Sequence, residues 1–134
     1  MKSNKLNIAS VLIFIVGAWN ILGGLWALFF STGYLEMWMK MYGATNSYTA
    51  FMIHMNQIYG LHTLGIGLFV CVLSLIPYRK AERWAWYAIL VIGGILMLGL
   101  LILWTPHAPF SVIFVILWIV GLVLPYKQIM SKSS

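Results

Sequence analysis

The sequence predicts an all-α integral membrane protein, a four-helix bundle running up-down-up-down with both termini on the cytoplasmic side. Three observations predict it. Of 134 residues, 63% are hydrophobic and only 7% are charged, whereas a soluble domain carries about a quarter charged residues. The apolar residues gather into four runs of membrane-crossing length. The basic residues sit almost entirely at one side of those runs. At this length the chain, 1–134, is a single membrane domain.

The first span covers about 8–30, and Ile8 to Phe30 carries no charge. That run is too long for a signal-peptide core, and no small-x-small cleavage site follows it, so it is expected to stay as a span. A loop over 31–50 comes next. The second span runs over about 52–77 and the third over about 84–104. Trp84, Trp86 and Tyr87 stand at one end of the third and Trp104 at the other, where interfacial aromatics belong. The fourth span, about 108–125, is opened by Pro109 and closed by Pro125. Proline is tolerated in a first turn and disfavoured within a helix.

Orientation follows from the eight Lys and Arg residues. Lys2 and Lys5 precede span one, Arg79, Lys80 and Arg83 join spans two and three, and Lys127 and Lys132 follow span four. Only Lys40 lies on the other side, offset by Glu36. The positive-inside rule then places the termini and the middle loop in the cytoplasm. The loop 31–50 and the turn Thr105-Pro106-His107 face outward, and the expected location is the cell (cytoplasmic) membrane. The net charge of +6 does not point to nucleic acid, because the basic residues are scattered between apolar runs and form no stripe. The single cysteine, Cys71, lies inside an apolar run and reads as a buried thiol.

Small residues mark close helix contacts in lipid. Span one carries Ser10, Gly17 and Gly24, seven apart, with Asn20 on the same seam. Span two carries Gly60, Gly67 and Ser74, again seven apart, with Thr63 and Cys71 completing the stripe. The two seams predict that spans one and two pack as an antiparallel pair. Gly93, Gly94 and Gly99 offer the third span a weaker version of the same device.

A few side chains are candidates for chemistry. Asn20 lies near mid-membrane and needs a partner, for which Thr63 or a backbone carbonyl suffices. His62 points away from the tight seam, and intramembrane ionisable groups are functional candidates. His54, His107 and Glu36 gather on the same outer side. There the run Met37-Trp38-Met39-Lys40-Met41 has two readings. If extended, Met37, Met39 and Met41 present three thioethers on one face, which with His54 suits Cu(I). If helical, Leu35, Trp38, Met39 and Tyr42 fall at i, i+3, i+4 and i+7, and Glu36 pairs with Lys40, which describes an interfacial helix. The helix is the preferred reading.

Spans three and four carry no ionisable residue, which speaks against a pump, channel or solute carrier. There is no phosphate-binding loop, no His-Glu-x-x-His, no Cys-x-x-Cys and no nucleophile–base pair, so no catalytic residue is assigned and a self-contained enzyme is disfavoured. No cofactor is predicted, and copper is the alternative.

The segment Tyr78-Arg79-Lys80-Ala81-Glu82-Arg83-Trp84-Ala85-Trp86-Tyr87 resembles the basic-then-aromatic start of the third helix in small, uncharacterised four-helix prokaryotic membrane proteins. The span pattern as a whole resembles the DoxX-like group. That resemblance implies a subunit of a membrane oxidoreductase complex and carries no individual residue across. The expectation is a non-catalytic accessory or scaffolding subunit, whose partners are the bilayer and other membrane subunits or further copies of itself. The alternative is a small-molecule or copper-binding membrane protein using the outer Met/His cluster.

Overall fold

A computed structural model describes residues 4–43, 49–104 and 109–131. His107, Lys2 and Lys132 lie outside the described residues. Every regular element among the described residues is helical. In chain order these are α1 (Asn4–Phe29), α2 (Ser31–Met41), α3 (Ala50–Leu75), α4 (Arg83–Gly99), α5 (Val112–Val123) and α6 (Tyr126–Ser131). Four stretches are long and apolar enough to cross a membrane: Asn4–Phe29, Ala50–Lys80, Arg83–Ile102 and Val112–Ser131. Helices are the economical solution there, since each satisfies its backbone polar groups internally.

Residues 31–41, within the connecting segment 31–50, form α2, the helical reading preferred from the sequence. Two other elements differ in detail from the sequence expectation. The third span does not end as plain α-helix, because Leu100–Trp104 widens into a π-turn. Pro125 does not end the fourth span. It interrupts it, and helix resumes as α6. Proline has no N–H to donate, so α5 stops at Val123 and the hydrogen bonding restarts with the Ile129 N–H donating to the Pro125 carbonyl at 2.9 Å. Pro109 opens a single 3-10 turn, Pro109–Ser111, ahead of α5, where a missing N–H costs nothing.

The chain divides into two compact units, with the division falling inside both α1 and α3. The first comprises Met1–Val16 and Phe69–Ser134. Its core holds Val16, Met97 and Val115, with Leu96, Leu100, Leu117 and Trp118 packed against them. The Trp118 indole rests on Gly93, leaving no room there for a Cβ. Gly121 lies against Ile13 and the Ala9 carbonyl. The Ser10 hydroxyl donates to the Ser74 carbonyl at 2.6 Å, and Ser74 donates to Cys71 at 2.8 Å.

Several side chains of this unit reach backbone carbonyls on neighbouring elements. Beyond Ser10, the Tyr78 hydroxyl donates to Gly121 at 2.6 Å, the Trp86 indole to Leu122 at 3.0 Å and the Arg83 guanidinium to Met130 at 2.7 Å. Tyr78 sits in a 3-10 turn, Tyr78–Lys80, closed by Ala81 in the left-handed region at φ 58°. A non-glycine residue held there carries strain, and the Ala81 N–H donating to the Tyr78 carbonyl at 3.0 Å helps hold it.

The second unit is Gly17–Leu68. Within it α1 and α3 run antiparallel and touch through their backbones. A Cβ on Gly24 would lie 2.6 Å from the Leu64 nitrogen, and one on Gly60 would lie 2.7 Å from the Leu28 nitrogen. A Cβ on Gly67 would meet the Gly17 carbonyl at 2.8 Å. Only glycine permits this approach, and close backbone packing replaces the hydrophobic drive that lipid does not supply.

Candidate functional site

The polar and aromatic side chains of the second unit form its most chemically varied region. They are placed by a corner between α1 and α2. Phe30 breaks the helix at φ −124°, and Ser31 starts α2 with its hydroxyl turned back onto the Ala27 carbonyl at 2.5 Å. Asn56 of α3, itself buried, donates its amide to the same carbonyl at 3.2 Å. One carbonyl oxygen, with two lone pairs, thus ties three helices.

Beyond the corner, Tyr34 inserts into an aromatic cluster. Trp26 meets it edge-on at 5.7 Å, Trp38 lies at 6.0 Å and Tyr59 at 6.4 Å. Such tilted and edge-on pairs add to the gain from area burial alone. Burial, reinforced by the neighbouring Tyr59, pushes the Tyr34 phenol well above its ordinary range. It is a hydrogen-bonding group and not an acid at any physiological pH.

The face of α2 that packs inward carries Ser31, Tyr34 and, half-buried, Trp38, while Thr32, Glu36 and Lys40 are exposed. This is an amphipathic helix, and of the sequence-read stripe Leu35, Trp38 and Met39 are half-buried while Tyr42 is exposed. Met37, Met39 and Met41 are half-buried and helical. Successive alternate residues of a helix point about 200° apart, so Met39 faces away from Met37 and Met41. The extended arrangement with three sulfurs on one face is not the one observed.

The remaining sequence candidates are placed as follows. Asn20 is half-buried on α1. The Thr63 hydroxyl donates to the Tyr59 carbonyl of its own helix at 2.9 Å. His54 is exposed near the start of α3. His62 is also exposed, and its Nδ1 lies 2.8 Å from the Ile58 carbonyl one turn back. A carbonyl oxygen can only accept, so this contact is a hydrogen bond when Nδ1 carries the proton. Cys71 sits in the first unit, its thiol 3.8 Å from the Phe14 carbonyl. Among the described residues, no three His, Cys, Asp or Glu side chains converge as a metal site would need.

Comparison of the chain with protein-family models, curated proteins and solved structures returns no match.

The functional reading therefore rests on the geometry. Asn56, Ser31, Tyr78 and Trp86 are the residues that sequence reasoning passed over. Each holds a backbone carbonyl of another turn or helix. Asn56 carried a signal, being an amide four residues past the start of the span 52–77. Tyr78 carried a subtler one: Pro125 leaves the carbonyl four residues before it without its helical donor, which requires a donor from elsewhere.

Proposed function

We propose that this chain is a non-catalytic accessory or scaffolding subunit of a larger membrane complex. The observation that carries the reading is how the protein spends its polar groups. Ser10, Ser31, Asn56, Ser74, Tyr78 and Trp86, all buried, donate to backbone carbonyls. All but the Ser74 bond, which stays within α3, tie one element to another, and all leave those groups committed to structure. Beyond Tyr87 the exposed side chains of α4, and those of α5, are aliphatic, such as Val91, Ile95, Leu98, Ile113 and Ile116, which suits contact with lipid tails. On α3 two histidines are exposed, His54 near its start and His62 in its middle.

In this reading the chain crosses the membrane four times, up-down-up-down, in the cell membrane. Lys5, Arg79, Lys80, Arg83 and Lys127 face the cytoplasm, and α2 lies in the outer interface with Glu36 and Lys40 toward water. The DoxX-like resemblance makes a membrane oxidoreductase the class of complex to examine first.

Purification from the native membrane in a mild detergent tests the proposal. A defined species heavier than the monomer, containing other membrane subunits in fixed ratio, is expected. A strictly monomeric chain with nothing co-purifying overturns it.

A further inference from the structure

We propose that the basic end of the first unit is a binding site for an anionic phospholipid, with Arg79, Lys5 and Lys127 supplying the counter-charge to its phosphate. The inference goes beyond the accessory-subunit reading and does not depend on it.

Contacts within the unit bring these residues to one end from separate places in the sequence. The Cys71 thiol lies 3.8 Å from the Phe14 carbonyl, and Ser74, further along α3, accepts from Ser10, earlier in α1. The two helices are therefore antiparallel here, so Lys5 at the start of α1 and Arg79 just beyond α3 stand at the same end. Arg83, which opens α4, donates to the Met130 carbonyl at 2.7 Å, and the rings of Trp86 and Tyr126 meet at 5.5 Å. These two contacts hold α6, and Lys127 with it, beside the start of α4. The Tyr78 bond to Gly121 joins the turn that carries Arg79 and Lys80 to α5.

The charge gathered there is not neutralised by the protein. Lys5, Arg79, Lys80, Arg83 and Lys127 share this end with one acid, Glu82, whose carboxylate accepts from the Trp84 indole. Lys5, Arg79 and Lys127 make no ion pair among the described residues. Arg79 is half-buried, and its Nε is covered by protein without a hydrogen-bond partner among the described residues. A charged group taken partly out of water loses hydrogen bonds that something else must replace, and an anion on the exposed edge of the guanidinium offsets that loss. The planar fork of arginine matches a phosphate. Orientation in the membrane asks only for basic residues near span ends. It does not ask that they be drawn together around a half-buried guanidinium.

Depth selects the occupant. The apolar stretches begin or end at Asn4, Lys80, Arg83 and Ser131, so the basic residues lie about one helical turn or less from the point where apolar helix gives way to water. Trp84, Tyr87 and Tyr126 are exposed on the same segments, and such rings settle at headgroup level. Phosphate is the anion always present at that depth, and clusters of Lys and Arg at span ends take anionic headgroups. Ile8, Ile76 and Val123, exposed on the adjoining helix ends, offer acyl chains a surface that a free phosphate ion would not use.

The test uses the full-length chain, purified in a neutral detergent and titrated with phosphatidylglycerol or with phosphatidylcholine of the same chain length. Native mass spectrometry counts the bound lipid. Each basic residue near an anionic headgroup strengthens binding about fivefold. The wild type should therefore retain phosphatidylglycerol well over phosphatidylcholine, and Arg79→Gln should weaken that retention about fivefold. Lys5→Gln combined with Lys127→Gln should weaken it by about twentyfold or more. Both lysines are exposed, so this double variant carries the test should R79Q fail to fold, which circular dichroism in lipid-free detergent reports. Lys40→Gln on α2 should leave retention unchanged, and inorganic phosphate in large excess should not displace the lipid.

Equal retention of the two lipids overturns the proposal, and the cluster is then a topology signal or a surface for acidic protein. Retention that survives in the double variant, or falls equally in K40Q, overturns it as well. Displacement by inorganic phosphate would make this a site for a soluble anion and overturn the lipid as its ligand.

Discussion

The Tyr78 hydroxyl donates to the Gly121 carbonyl at 2.6 Å across 43 positions of sequence. Gly121 is the residue whose carbonyl would accept from position 125 in an uninterrupted helix, and position 125 is proline. The phenol supplies the hydrogen bond that the proline withholds, and it does so where neither residue has access to water: Tyr78 is fully buried. Removing the hydroxyl leaves a buried carbonyl unsatisfied, which costs about 1–3 kcal/mol. Tyr78→Phe should therefore lower the unfolding free energy in detergent by that amount. Pro125→Ala restores a backbone donor, so the loss from Y78F should shrink in the P125A background. A double-mutant cycle with no coupling between the two positions would remove this account of the pair.

Five glycines of α1 and α3 divide into two classes with opposite expected responses. At Gly24, Gly60 and Gly67 an added methyl would lie under 3.0 Å from backbone atoms of the facing helix. Backbone cannot rotate aside as a side chain can, so Ala at any of the three should destabilise by about 1–3 kcal/mol. At Gly23 and Gly65 the methyl meets nothing within 4 Å. There Ala should be neutral or stabilising, by up to about 1 kcal/mol, through helix propensity. Thermal melting of the five variants in one detergent separates the classes. Equal losses at Gly23 and Gly24 would show that contact geometry is not the cause.

The spans and the small-residue seams were legible because each depends on local chemistry. Crossing a bilayer needs a run of apolar residues, and close approach needs glycine, whatever the rest of the chain does. The phase of His62 relative to the Gly60 and Gly67 stripe was legible for the same reason, since it follows from helical geometry alone. The contact of His62 Nδ1 with the Ile58 carbonyl was not, because it depends on the side-chain rotamer. Nor was the Ala27 corner. Its two donors, Ser31 and Asn56, come from separate helices, and only the tertiary arrangement brings them to one oxygen. The helical phase of α2 was legible, with Leu35, Trp38 and Met39 all half-buried, but the full burial of Tyr34 was not. The aromatic partners Trp26 and Tyr59, which decide for Tyr34, lie on other helices.

The three methionines of α2 bear on the copper alternative. With α2 helical, Met37 and Met41 share a side and Met39 lies on the other. A Cu(I) site needs soft ligands converging within bonding distance of one ion, and this helix directs its sulfurs apart. Loading the purified protein with Cu(I) under reducing conditions should give the same copper content in the wild type and in a Met37→Ala, Met39→Ala, Met41→Ala triple variant. Stoichiometric copper in the wild type that disappears in the variant would establish a site in this segment.

Tyr34 gives the second unit a defined alkaline weakness. Burial, and then the proximity of Tyr59, raise its pKa in the folded protein, so the folded state holds the phenol proton where the unfolded chain gives it up. Below a pH of about 10, the ordinary tyrosine range, both states are protonated and the contribution to stability is complete. As pH rises above that value the unfolded state ionises first. It then binds fewer protons than the folded state, so stability falls with pH. The loss continues until pH passes the raised value. Tyr34→Phe removes the titrating group but keeps the ring packed against Trp26 and Trp38. Unfolding measured in detergent from pH 8 to 11 should show a steeper alkaline decline for the wild type than for Y34F, with the two curves parallel below about pH 9. Curves that stay parallel throughout would mean that Tyr34 ionises as readily in the folded protein as in the unfolded chain, and the aromatic cluster would then be open to water.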